Sequence, residues 1–271
     1  MNSCYRHLDR EANIACQRCA RPICPECMRD AAVGFQCPEC VVQGQKTVRQ
    51  PKRVNTTSIS IVIIAVNVLV WLLTGLAGGD DSAIFENGAM LTQTAMNQQG
   101  ELLRGFLDGA WWRPLTSAFL HSGILHLAFN MWAIYVFGPM LETVLGRTRF
   151  LVLYGLTILG AGIAMLYFSA PNALTVGASG AVYGLFGAAL VVLIRARQNV
   201  QTLLVLLAIN IVISFSGGIS WQAHFGGLIV GGLLGAYFAY TNERWRKLDR
   251  LVLSAFAVLL GVVLYAPLIL I

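Results

Sequence analysis

From Gln198 to Asn242 the chain carries no Asp, Glu, Lys or Arg, and between Pro114 and Ile194 it carries only Glu142, Arg147 and Arg149. A folded domain in water has roughly a quarter of its residues charged; here the whole chain has 12% charged and 56% hydrophobic residues. Stretches this long without charge need a solvent without water, so most of this chain belongs in a bilayer. That excludes an ordinary soluble enzyme.

Seven apolar spans follow from the pattern, at 58–76, 115–139, 148–168, 176–194, 200–216, 219–240 and 251–270. Most approach the roughly 20 residues that a helix needs to cross a membrane, the fifth being the shortest. The basic residues orient them. With the N-terminus inside, Lys46, Arg49, Lys52, Arg53, Arg147, Arg149, Arg195, Arg197, Arg244, Arg246, Lys247 and Arg250 are cytoplasmic, and only Arg104 and Arg113 lie outside. The expectation is N-terminus in and C-terminus out. The net charge of +6 is then membrane anchoring, and nucleic acid is not an expected partner. The first apolar span begins near Ser58 behind a polar, Cys-rich segment, so no signal peptide is read. The connection 77–113 is long and mixes Asp80, Asp81 and Glu86 with Ile84, Phe85, Leu102, Leu103 and Phe106. An element lying partly in the membrane interface is expected there, with Trp111 and Trp112 at headgroup level.

All seven cysteines fall within the first 40 residues. With one histidine they make four pairs at C-x2-C/H spacing: Cys4 and His7, Cys16 and Cys19, Cys24 and Cys27, Cys37 and Cys40. Eight ligands suffice for two tetrahedral zinc ions, and a polar module of this size has too small a core to fold without them. No ligand position remains open for water, so the ions are structural. The spacing resembles B-box-type and related cross-braced zinc fingers. That resemblance implies that the first and third pairs share one ion and the second and fourth the other; spacing alone also allows sequential pairing. A cytosolic protein is the partner expected for the module. Residues 41–57 read as a basic linker.

Outside that module the histidines are His121, His126 and His224, all in or beside apolar spans. An imidazole inside a bilayer is costly and marks a functional site unless a neighbouring helix satisfies it. Three patterns converge. In the string from His121 through His126 to Asn130, the last two are four apart and share a helix face, where two neutral donors suit a developing oxyanion. In Gly177-Ala178-Ser179-Gly180, glycines let a backbone approach the serine hydroxyl closely. After Ala223-His224, Gly227, Gly231 and Gly235 form a small-residue stripe that brings a partner helix near and His224 toward the serine helix. A GxSxG-like string also marks the nucleophile elbow of soluble α/β-hydrolases, but that needs a preceding strand and a triad acid. No Asp or Glu occurs from Thr143 to Asn242, which favours a Ser–His dyad.

In their order these patterns resemble the rhomboid proteases, from about residue 58 to the end. The resemblance implies an all-α membrane bundle of six core helices plus one C-terminal helix, beside the zinc-stabilised module. It implies Ser179 as nucleophile, His224 as general base, and His126, Asn130 and the Ser179 N–H as the oxyanion hole. Tyr183 would pack against the catalytic histidine, with plain core packing as its alternative. Gly177 would shape the oxyanion environment through its backbone, His121 would support it, and Trp112-Arg113 would hold the first loop. Single-span membrane proteins are the implied substrates, and a bacterial cell membrane the implied location. Rivals are a rhomboid-like factor that binds membrane clients without cutting them, a metalloprotease using His126 and His224, and a transporter. The dyad argues against the first, the missing HExxH and nearby acids against the second, and the ordered Ser–His pattern against the third.

Overall fold

The computed structural model describes residues 3–31, 34–47, 58–215, 218–242 and 247–270. The chain divides into two units, Met1–Thr56 and Thr57–Ile271.

The first unit is built from two antiparallel pairs, β1 (Ile14–Ala15) with β2 (Pro22–Ile23) and β3 (Arg29–Asp30) with β4 (Phe35–Gln36), followed by helix α1 (Pro38–Thr47). Strands of two residues are too short to hold a sheet alone. Six of the eight buried residues in the unit's core are cysteines, joined by Ala12 and Ile23. Hydrophobic burial in this unit is therefore slight. Helix α1 continues through residues 41–47, which the sequence reading gave to a linker; the remainder of that linker, 48–57, lies outside the described residues.

The second unit is helical. Helices α2 (Ile59–Leu76), α5 (Ile124–Leu145), α6 (Arg147–Phe168) and α9 (Trp221–Tyr240) are each long and apolar enough to cross a membrane; α7 (Ser179–Arg195) and α8 (Gln201–Ser214) are apolar but shorter. Helix α10 (Asp249–Tyr265) follows, and a break before Pro267 separates it from the single turn α11 (Pro267–Leu270). The connection between α2 and α5 contains α3 (Ala83–Gly88), the antiparallel pair β5 (Ala95–Met96) and β6 (Leu102–Leu103), and α4 (Arg113–Thr116). The second apolar span is thus misplaced by the sequence reading at both ends. Pro114 opens the separate short helix α4, and Gly123, at φ +92, breaks the chain before α5. Helix α5 then runs past Pro139 to Leu145, where Gly146, at φ +82, turns it into α6.

Helix α7 is buried along most of its length and packs against α9. A Cβ placed at Gly227 would fall on the carbonyl oxygen of Gly180, one at Gly231 on that of Gly184, and one at Gly235 would lie 2.7 Å from the Cα of Ala188. The stripe read from the sequence is therefore the line where the two backbones touch. On the other face of α9, Gly226 meets the carbonyl of Gly160 on α6 in the same way. Helix α10 is tied on at both ends: Asp249 takes the guanidinium of Arg149 and the hydroxyl of Tyr237, 2.9 Å away, while the Tyr265 hydroxyl donates to the carbonyl of Trp111 at 3.2 Å.

Two polar devices fix the bundle. The carboxylate of Glu142, on the last turn of α5, accepts from the Ser58 hydroxyl (2.5 Å) and from the backbone N–H groups of Ile59 (3.1 Å) and Ser60 (3.3 Å). It caps the N-terminus of α2 from another helix, where a negative charge is favoured. In the long loop, the fully buried Arg113 donates to the carbonyls of Arg104 (2.7 Å), Glu86 (2.8 Å) and Ala89, and Trp112 Nε1 donates to that of Asn87 (3.0 Å).

Candidate active site

Ser179 is the first residue of α7, so its backbone N–H has no acceptor within the helix. His224 sits in the first turn of α9, whose N-cap Ser220 accepts from the Ala223 N–H. The close α7–α9 contact brings the two together, with His224 Nε2 2.8 Å from Ser179 Oγ. Tyr183, one turn along α7, stacks on the imidazole with ring centroids 4.1 Å apart and planes 11° from parallel.

Gly177, at φ +130, precedes this helix. A Cβ there would lie 2.6 Å from His126 Nε2 and 3.5 Å from Ser179 Oγ. The missing side chain leaves an opening between the second imidazole and the serine hydroxyl, and only glycine supplies both the conformation and the space. His126 Nδ1 is 3.4 Å from the hydroxyl of Ser122. With Ser122 donating, Nε2 carries the proton and turns a donor toward that opening. Asn130 spends one amide hydrogen on the carbonyl of His126, 3.0 Å away, and retains the other. His121 is buried; its Nε2 accepts from the Ala178 N–H at 3.5 Å, and its ring meets that of His126 edge-on at 5.0 Å. It buttresses the loop and the second histidine without touching Ser179. In the loop after α2, burial and then the neighbouring Asp81 raise the pKa of Asp80.

One residue was not singled out from the sequence. Ser214, the last residue of α8, lies with its hydroxyl 2.6 Å from His224 Nδ1 and 2.7 Å from the Tyr183 hydroxyl. A serine near the end of an apolar helix carries no pattern of its own, and only the fold puts it behind the histidine.

In the first unit, Cys4, His7, Cys24 and Cys27 form one cluster, and Cys16, Cys19, Cys37 and Cys40 another, each with its ligand atoms within 4.8 Å of one another. Cross-bracing is therefore the arrangement, not sequential pairing. Zinc–sulfur bonds of about 2.3 Å at tetrahedral angles separate two thiolates by about 3.8 Å. The Cys19 and Cys37 sulfurs are 3.8 Å apart, and His7 Nδ1 is 3.4 Å from Cys24 Sγ and 3.5 Å from Cys27 Sγ. The donor sets and spacings fit tetrahedral metal ions.

A hydroxyl in hydrogen-bond contact with an imidazole, set among membrane-length helices, defines a class: an integral membrane protein with a serine–histidine pair inside its helix bundle. Comparison with known proteins agrees. The Rhomboid domain profile matches residues 108–241, from α4 through α9. The Bacillus subtilis (strain 168) rhomboid protein YdcA is 39% identical over 150 residues, spanning 52% of this chain and 73% of YdcA. Rhomboid protease GluP of the same organism is 32% identical over 185 residues, 66% of this chain but 33% of GluP. Rhomboid protease AarA of Providencia stuartii is 28% identical over 188 residues, 59% of this chain and 67% of AarA. The chain belongs to the rhomboid family, and by that membership is an intramembrane serine protease. The cysteine module lies outside the matched residues.

Proposed function

We propose that this protein is an endopeptidase that cuts single-span membrane proteins with a Ser179–His224 dyad. The observation that carries the reading is the 2.8 Å contact between His224 Nε2 and Ser179 Oγ inside the bundle. His224 takes the Ser179 proton as Oγ attacks the scissile carbonyl carbon. The carbonyl oxygen becomes an oxyanion in the opening beside Gly177, within reach of His126 Nε2–H and the Ser179 N–H; Asn130 stands on the same helix face. The intermediate collapses when the amine leaves with the proton from His224. Water then gives a proton to His224 as its oxygen attacks the acyl carbon. The ester bond to Ser179 breaks with His224 returning the proton to Oγ, so the acyl group leaves as a carboxylic acid. Loss of one oxyanion donor is worth about 10²–10³ in rate, so His126→Ala should retain a trace of activity.

Water access follows from helix length. The 17 residues of α7 span about 26 Å, less than the roughly 30 Å of hydrocarbon. Ser179, at its N-terminus and only partly buried, would then sit below one face of the membrane, within reach of solvent. The basic-residue bias makes that the outer face, with the N-terminus cytoplasmic and the C-terminus outside, in a bacterial cell membrane.

The cysteine module is proposed to hold two structural zinc ions, with Cys4, His7, Cys24 and Cys27 around one and Cys16, Cys19, Cys37 and Cys40 around the other. The ions cross-link a unit whose own core is slight and take no part in cleavage. Leu8, Ile14 and Val42 are apolar and exposed on this unit, which supports a cytosolic protein as its partner.

The test is cleavage of a single-span substrate in liposomes by wild type, Ser179→Ala and His224→Ala. Activity in the wild type alone supports the reading. Cleavage that persists in Ser179→Ala refutes the serine mechanism.

A further inference from the structure

In a Ser179–His224 dyad, Nδ1 of His224 takes no part in the proton transfer itself. A general base must present a bare Nε2 to the serine, so its proton has to sit on Nδ1. A free neutral imidazole distributes its proton between the two nitrogens, and the partner of the second nitrogen decides which form is held. No acid occurs between Thr143 and Asn242 to make that choice.

Ser214 makes it. Its Oγ is 2.7 Å from the carbonyl oxygen of Asn210, four residues earlier on α8. A carbonyl only accepts, so the single hydroxyl hydrogen of Ser214 goes there, a common bond for a serine within a helix. Two lone pairs then remain on Oγ. One faces His224 Nδ1 at 2.6 Å and the other the Tyr183 hydroxyl at 2.7 Å. Both contacts require Oγ to accept, so Nδ1 must donate and Tyr183 must donate. Tyr183 thereby gains its second hold on the site, because it also stacks on the imidazole. Ser214 is fully buried, so water does not compete for these bonds.

We propose that Ser214 is a positioning residue for the dyad: it accepts the Nδ1 proton of His224, fixes the imidazole as the tautomer with a bare Nε2, and aligns Tyr183 against it. The hydrogen-bond chain runs from Ser179 through His224 and Ser214 to the Asn210 carbonyl. It replaces the acid of a triad with a neutral acceptor whose direction is set by a helix backbone. This inference rests on the dyad reading.

Two measurements on the full chain test it. In the first, Ser214→Ala and Ser214→Thr are compared with wild type in liposomes. Loss of one hydrogen bond to the base is expected to lower kcat about tenfold or more, with KM within about twofold, and the retained hydroxyl of Ser214→Thr restores most of kcat. An unchanged kcat in folded Ser214→Ala overturns the proposal. The second needs no turnover: the ring nitrogens of His224 are observed by 15N NMR, assigned by difference with His224→Ala. A protonated Nδ1 and bare Nε2 are expected in wild type, with mixed tautomers in Ser214→Ala. A protonated Nε2 in neutral wild-type His224 overturns the proposal. If the wild type cleaves no substrate at all, the protease reading fails by itself, and the tautomer measurement still decides the role of Ser214.

Discussion

Arg104 and Arg113 lie in the same loop, nine residues apart, and the structure gives them opposite weight. Arg104 is exposed, and its backbone carbonyl is the part that matters. Arg113 is fully buried and holds three carbonyls, those of Arg104, Glu86 and Ala89, so one fork ties the end of α3 to the loop beyond β6. A hydrogen bond from a charged donor contributes about 1.5–3 kcal/mol net. Three of them at the low end give about 4.5 kcal/mol, and the hydration that the buried guanidinium gives up brings the expected cost of Arg113→Ala to about 4 kcal/mol. Against a total stability of about 5–15 kcal/mol this is a large share. At about 2–4 °C per kcal/mol for a unit of this size, the midpoint should fall by roughly 8–16 °C. Arg104→Ala should shift it by no more than about 2 °C, since surface changes stay within about 0.5 kcal/mol. Arg113→Lys should recover little, because an ammonium cannot fork to three carbonyls. The assay is thermal unfolding in detergent followed by tryptophan fluorescence, all variants at one scan rate. Equal shifts for the Arg113→Ala and Arg104→Ala proteins, or a shift under about 2 °C for Arg113→Ala, would show that the buried fork does not hold the loop.

Gly231→Ala should force α7 and α9 apart, because the new methyl lands on the Gly184 carbonyl, whereas Gly232→Ala meets nothing within 4 Å. Cleavage should drop by about 10²-fold or more in the first and stay within about twofold in the second, since a misplacement of about 1 Å at a reacting pair costs that much. Asp249→Asn should loosen α10 by removing the charge that pairs with the partly buried Arg149, at a cost of about 2 kcal/mol; faster protease nicking between α9 and α10 is the readout, and unchanged nicking rules the latch out. Chelation should unfold the cysteine module while the membrane unit goes on cutting. Cobalt titration should show two tetrahedral, thiolate-ligated sites per chain, and loss of cleavage along with the metal would tie the two units together in function.

How far the sequence could be read depended on how rare each residue is in its surroundings. Ser179 and His224 stood out because a polar side chain in a charge-free stretch needs a reason, and the glycine stripe after His224 told which helices touch. Ser214 had no such contrast. Serine satisfies itself on its own helix, as here with Asn210, and its distance to His224 is a product of how α8 ends beside α9. Hydropathy also misplaced the second span, because a window of averaged apolarity passes over the break at Gly123 and stops too early at Pro139. The paired cysteines announced a metal module, but equal spacings left the pairing open, and the fold was needed to bring Cys4 beside Cys24 rather than Cys16. In the long loop, apolar Phe106 hinted at burial; the buried Arg113 fork was foreshadowed only as a resemblance, not by any rule of composition.

The cap on α2 has a consequence for how the protein is made. Ser58 and its acceptor Glu142 are separated by 84 residues. At about 5–20 residues per second, a ribosome adds the residue that closes this end roughly 4–17 s after Ser58 itself. During that interval the hydroxyl of Ser58 and the amides of Ile59 and Ser60 have only lipid headgroups or water to turn to. Helix α2 is therefore born as an unfinished part, able to enter the membrane but unable to lock, and the second long helix completes the first when its last turn arrives. Assembly of the bundle has a built-in order, with a waiting period at its start during which chaperones or insertion machinery can still act on the chain.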